Sequence, residues 1–131
     1  MEILPQIRVS FFFLGDEFNI EDITKKIGII PTKARKKEDF PISEFAHTEW
    51  VLDTKKESCK AVSVPFKKLI NMLNGKEIAI RQICNDYNVT VGFLVDIWME
   101  NGDKPEMALT KESISFLASI DAEVSFDLFI D

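Results

Sequence analysis

Three stretches of the chain alternate apolar and polar positions with a period of two, the pattern of β-strands whose side chains point to opposite faces. From Ile7 to Leu14, Ile7, Val9, Phe11 and Phe13 share one side, and Arg8, Ser10, Phe12 and Leu14 the other. In the next such stretch Val89, Val91, Phe93, Val95 and Ile97 face one way, with Thr90, Gly92, Leu94, Asp96 and Trp98 opposite. The last runs from Glu123 to Ile130, where Val124, Phe126, Leu128 and Ile130 make one side wholly apolar. A shorter strand is predicted over Thr48 to Asp53, with Trp50 and Leu52 on one side and Val51 on the other.

Between these strands the period changes to that of helices. Asn19 stands where an N-cap belongs, Ile20, Ile23 and Ile27 follow on one face, and Gly28 supplies the left-handed residue that ends the helix. Ser63 is positioned to cap a second helix with Pro65 in its first turn and a stripe of Phe66, Leu69, Ile70 and Leu73 up to Gly75. A third, bearing Ile78 or Ala79 with Ile80, Ile83, Cys84 and Tyr87, follows at once. After the turn residues Asn101 to Pro105, Thr110 caps a fourth whose buried face is predicted to carry Ile114, Leu117 and Ala118. The remaining segment, Ile29 to His47, contains Pro31 and Pro41 and reads as a long irregular connection, a length that in compact domains marks functional or mobile loops.

The first and last thirds share a plan of strand, acidic turn, capped helix and return. Each is consistent with one β-α-β unit, and two such units in one sheet make a ferredoxin-like α+β sandwich. We therefore expect a single domain over residues 1–131, with about four strands in a mixed sheet, helices mainly on one face, and a helical pair inserted between the halves. On that plan Phe12, Leu94, Asp96, Trp98, Asp127 and Phe129 point away from the core, an apolar patch rimmed by acids and a candidate partner-binding surface. The alternative is that the Ile29 to His47 loop or Ile3, Leu4 and Pro5 fold across it.

Composition narrows the class. With 46% hydrophobic and 29% charged residues the chain has the balance of a globular protein, and eleven Phe against one Tyr favour aromatic packing over a hydrogen-bonding pocket. A net charge of −6 opposes affinity for nucleic-acid phosphates and makes a basic partner the easier one to imagine. The cluster Lys33, Arg35, Lys36 and Lys37 is the exception and reads as solvated loop. No run is long enough for a membrane span, and Met1 to Pro5 lacks the features of a secretory signal, so a cytoplasmic protein with Cys59 and Cys84 reduced is expected.

Candidate chemistry is sparse. His47 is the one histidine, which leaves no metal site that needs two imidazoles and makes a triad improbable. Ser43 and Ser58 lack the small-residue elbow of a strained nucleophile, and the five glycines form no phosphate-binding pattern. Asp16 and Glu17 follow the first strand and Glu100 and Asp103 the third. Were those strand ends neighbours, the carboxylates could converge on a divalent ion, although solvated acidic turns explain them as well. Arg35, His47, Glu49 and Trp50 form the densest polar and aromatic set and a candidate ligand cleft, with a core role for Trp50 as the alternative.

The strand Val9 to Leu14, the cap and helix Asn19-Ile20-Glu21-Asp22-Ile23, Gly28-Ile29-Ile30-Pro31-Thr32, Thr48-Glu49-Trp50-Val51-Leu52 and the closing Ala122-Glu123-Val124-Ser125-Phe126-Asp127 together resemble domain-of-unknown-function family four-two-seven-nine. The resemblance spans almost the whole chain and implies a bacterial single-domain protein. It implies no activity, and Lys36-Lys37-Glu38 departs from the glycine many relatives carry before the Trp strand.

Three functions are compatible with these residues. The first is a non-catalytic protein that binds another protein or itself as a homodimer, including an immunity or antitoxin-like partner of a basic enzyme, without cofactor, membrane or nucleic acid. The second is a sensor of a small molecule or peptide at the Arg35, His47, Glu49 and Trp50 cleft. The third, a hydrolase using Asp16, Glu100 and Asp103 with a divalent ion, has the least support.

Overall fold

Alternation from Ile7 onward forms the strand it predicts: β1, Gln6–Gly15, buries Ile7, Val9, Phe11 and Phe13 completely. The structure, a computed structural model, describes residues 3–41, 46–101 and 103–130. Ser43 in the long connection and Gly102 in the turn after the third predicted strand lie outside the described residues. After β1 come α1 (Ile20–Ile27), β2 (Lys33–Arg35), a 3-10 turn at Lys37–Asp39, β3 (Thr48–Asp53) and β4 (Glu57–Ser58). The chain continues through α2 (Ser63–Leu73), α3 (Glu77–Tyr87), β5 (Thr90–Met99), α4 (Lys111–Ser119) and β6 (Glu123–Ile130).

These elements make an α+β fold with one open, mixed sheet in the order β2-β3-β1-β5-β6, while β4 pairs with the start of β1. The expected four-stranded ferredoxin-like plan is corrected, since the sheet has six strands among the described residues. The last third is a direct β-α-β unit, with β5 and β6 adjacent and parallel across α4. The first third is not. β1 and β3 are antiparallel neighbours, and β2, also antiparallel to β3, is the strand that runs parallel to β1. β3 is thus inserted between the two parallel strands, and part of the segment read as irregular connection is the outer strand β2.

The helices bury their stripes against one row of the sheet. A single hydrophobic cluster joins Ile7, Val9, Phe11 and Phe13 of β1 and Phe93, Val95 and Ile97 of β5 to Ile23 and Ile27 of α1, Phe66 and Leu69 of α2, Ile80 and Ile83 of α3, and Phe116 and Leu117 of α4. Phe11 meets Phe13 and Phe93 with ring centroids 5.2 Å apart in each case, and Phe66 stacks on Phe93 at 4.9 Å. Phe suits these core positions, because none of these rings has a polar tip that burial would leave unpaired.

Local chemistry sets the helix ends. Asn19 Oδ1 accepts from the Asp22 N–H at 2.9 Å, and Gly28, at φ 74°, closes α1 as its N–H donates to Thr24 O. Thr110 Oγ1 likewise accepts from the Ser113 N–H at 3.2 Å. Two expectations fail. Ser63 is the first residue of α2 and does not cap it, and that end is held by the Val62 N–H donating to Glu106 O at 2.9 Å. In α4 the buried stripe is Ser113, Phe116 and Leu117, continued by Ile120, and Ile114 is 54% exposed. That set also has helical spacing, and it carries the larger Phe116 into the core in place of Ile114.

Candidate functional site

Among the described residues, the helix side chains of the common cluster gather on the core row, and no residue of the opposite row joins that cluster. Pairing of β1 with β5 sets Phe12 against Gly92, Ser10 against Leu94, Arg8 against Asp96 and Gln6 against Trp98. Pairing of β5 with β6 adds Asp127 beside Asp96 and Phe129 beside Trp98. Directly paired residues project to the same face. Phe12, Leu94, Asp96, Trp98, Asp127 and Phe129 therefore share one sheet surface, as expected from the alternation.

The surface is structured rather than bare. Trp98 stacks on Phe129 with centroids 5.1 Å apart and planes 13° from parallel, and Phe129 remains 45% exposed. The Arg8 guanidinium lies 5.2 Å and the Lys56 ammonium 4.0 Å from the centre of the Trp98 ring, where the ring quadrupole attracts cations. Arg8 also donates to Asp96 Oδ2 from Nη2 at 2.9 Å and from Nε at 3.3 Å. The Asp96 side chain is only 5% exposed, so the pair neutralises a carboxylate that would be costly to bury alone.

Phe12 occupies the space that a side chain at Gly92 would need: a Cβ there would lie 2.7 Å from the tip of the Phe12 ring. With Leu14, Phe12 forms a ridge between two hollows. One, of about 240 Å³, is lined on its far side by Lys33, His47, Glu49 and Val51. The other, of about 530 Å³, opens toward Cys84, Ala122 and Ser125.

Of the proposed cleft residues, three come together and one does not. Arg35 is paired with Glu49 across β2 and β3, and His47 Nε2 lies 3.4 Å from Glu49 Oε2. Phe40, missed in the sequence, supplies the floor of this group: its ring lies 3.9 Å from the Arg35 guanidinium carbon and 4.6 Å from the His47 ring. Trp50 belongs to the other face. It is fully buried, packs on Phe13 at 5.5 Å and donates from Nε1 to Thr24 Oγ1 at 3.0 Å. Its place in the cleft is corrected, for the period-two rule sends it opposite to Glu49.

The proposed carboxylate convergence is also corrected. β1 and β5 are neighbours but antiparallel, so Asp16 and Glu17 lie at one end of the sheet and Glu100 and Asp103 at the other, roughly 30 Å away at strand rise. Asp16 instead accepts from Lys37 Nζ at 2.8 Å, and this carboxylate raises the Lys37 pKa above its ordinary value. Thr48 joins them by accepting from the Lys37 N–H and donating to Asp16 O, both at 3.3 Å. Part of the basic cluster thus tethers the long connection to the end of β1. Among the described residues no group of three His, Cys, Asp or Glu could hold a metal ion, and no helix is long and apolar enough to cross a membrane.

The two cysteines are free. Burial, helped by Asp121, pushes the Cys84 thiol up and away from the reactive thiolate, against a smaller opposing effect of Arg81. Cys59 donates to Ala61 O at 3.2 Å, and Ser58 sits in β4 opposite Gln6.

Comparison with known proteins finds one family, described as Domain of unknown function (DUF4279), whose model matches residues 5–131. No curated protein and no solved structure matches.

Proposed function

Since the chain belongs to the family Domain of unknown function (DUF4279), whose description carries no activity, we propose from its own surface that it is a non-catalytic binding module for a basic protein. One observation carries this reading: the open sheet face bears Phe12 and Leu94, with a hollow on either side of the Phe12 and Leu14 ridge, and, beyond the Arg8–Asp96 ion pair, the stacked rings of Trp98 and Phe129. Aromatic residues in shallow relief are the usual anchors of protein interfaces. Exposed Asp127 and Glu123 border this face on the β6 side, and the chain as a whole carries −6, so a basic partner would be steered toward it. An inhibitor of a basic enzyme, of immunity or antitoxin type, is the form of partnership this charge suits.

The test is affinity purification from the native host with the wild-type chain and with Trp98→Ala and Phe12→Asp, at low and high salt. A basic protein retained by the wild type and lost with both variants supports the proposal. Recovery of none at either salt, or equal recovery by the variants, would overturn it.

A second reading rests on the hollow beside Lys33, His47 and Glu49, which offers both signs of charge to a small molecule or peptide terminus. At about 240 Å³ it is smaller than most ligand pockets, which start near ~300 Å³. A melting temperature that rises with ligand concentration in a metabolite screen, and no longer does so in Glu49→Gln, would favour this reading over the first.

A further inference from the structure

We propose that two copies of this chain associate through β6, edge to edge and antiparallel, so that the two sheets become one across a two-fold axis at Phe126. This goes beyond the binding face described above and uses different residues, chiefly the helix-side row of β6.

On that row the apolar alternation is left unsealed toward the end of the strand. Val124 is partly buried against the core, but Phe126, Leu128 and Ile130 are 41%, 47% and 64% exposed, increasingly so along the strand. β6 ends the order of the sheet, and its eight residues, EVSFDLFI, contain no Pro, Lys or Arg. Those are the residues that commonly blunt an edge against pairing. The other end of the sheet is blunted: β2 has three residues, Lys33, Ala34 and Arg35, all exposed, two of them cationic.

The occupant follows from the strand's own sequence. In an antiparallel pair, directly opposed residues share a face, so the apolar row of one copy must meet the apolar row of the other. Three registers near the strand centre do this. Centring on Asp127 sets Asp127 against itself, and centring on Ser125 sets Glu123 against Asp127 twice. Centring on Phe126 puts Phe126 against Phe126, Val124 against Leu128, and Ser125 against Asp127, with no acid opposite an acid. β6 is self-complementary in that register, and like charges directly opposed disfavour the other two.

The area fits a reversible dimer. Taking ~200 Å² for a large side chain, the exposed parts of Phe126, Leu128 and Ile130 in two copies give roughly 600 Å² of apolar surface. The paired backbones bring the total toward the ~1,000 Å² at which specific interfaces begin. A dimer that dissociates on dilution is therefore expected, not a permanent one.

Sedimentation velocity of the full chain over a dilution series tests this. The wild type should show a concentration-dependent monomer-dimer equilibrium, and Phe126→Asp should raise Kd by at least about 30-fold. Circular dichroism and melting temperature report whether that variant folds. Ser125→Lys, which sets a cation opposite each Asp127 of the paired strand, should tighten the dimer, and Ser125→Glu should weaken it. Lys33→Glu on the other edge and Phe12→Asp on the open face of β1 should leave it unchanged, which separates this proposal from the partner-binding one. A wild type that stays monomeric up to its solubility limit would overturn the proposal, as would a dimer indifferent to Phe126→Asp or one in which the two Ser125 variants shift Kd the same way.

Discussion

Along β1, Ile7, Val9, Phe11 and Phe13 have no solvent exposure, while Arg8, Ser10, Phe12 and Leu14, each one residue away, range from buried to half-exposed. Both rows contain large apolar side chains on the same backbone with the same neighbours, β3 and β5. The difference lies in what is laid over them. One row meets the stripes of four helices, and its rings lock edge to face. The other carries cross-strand contacts of its own, Phe12 over Gly92, Arg8 on Asp96 and Trp98 on Phe129, with Lys56 over the Trp98 ring. A residue of the first row holds the fold together, and a residue of the second shapes a surface. Identical amino acids therefore have different worth on the two sides.

Substitutions on each side measure that difference. The largest effect is expected from Trp50→Ala on the helix side, which removes a fully buried ring, its edge contacts with Phe11 and Phe13, and the hydrogen bond to Thr24. A loss of about 3–5 kcal/mol in denaturant unfolding is expected, and a loss under ~1 kcal/mol would mean that the two rows are not unequal. Next comes Arg8→Ala on the open side, which strands the Asp96 carboxylate. Breaking a fully buried pair costs about 3–5 kcal/mol, but Arg8 is 36% exposed and water can reach the site, so about 2 kcal/mol is expected. If Arg8→Ala equals Trp50→Ala, the open face is as structural as the core. The smallest effect is expected from Gly92→Ala. The methyl would collide with the far end of the Phe12 ring, which can swing into solvent, so stability should change by no more than about 1 kcal/mol. The ring resonances of Phe12 should move in its NMR spectrum, and a much larger loss of stability would mean that Phe12 is pinned.

Alternation alone made the long strands, the two rows and the six residues of the open face legible, because period two fixes relative sides without any knowledge of the neighbouring strand. It could not say which strand lies beside which: the insertion of β3 between β1 and β2 broke the first β-α-β plan, and the antiparallel course of β5 undid the carboxylate convergence. Lys33, Ala34 and Arg35 carry no apolar alternation, so nothing local marks them as a strand. Their pairing comes from β3, opposite Val51, Trp50 and Glu49. Trp50 was assigned to the cleft through its sequence neighbours, but adjacent strand residues point apart. Phe40 was passed over for the converse reason, since its contacts with Arg35 and His47 depend on how the connection folds back. The exposed half of β6 was also hidden. A wholly apolar side reads as core in any sequence, and only the reach of α4 and its neighbours decides how much of it is covered.

The pairing of β1 with β5 joins Arg8 to Asp96, 88 positions along the chain. The middle of the sheet cannot be completed until most of the polypeptide is available, and topologies dominated by such distant pairings fold slowly because loop closure precedes the contacts that repay it. On a ribosome, β1 would emerge before β5 and wait with one flank open through the synthesis of α1, α2 and α3, a window in which chaperones would find Phe11 and Phe13 accessible.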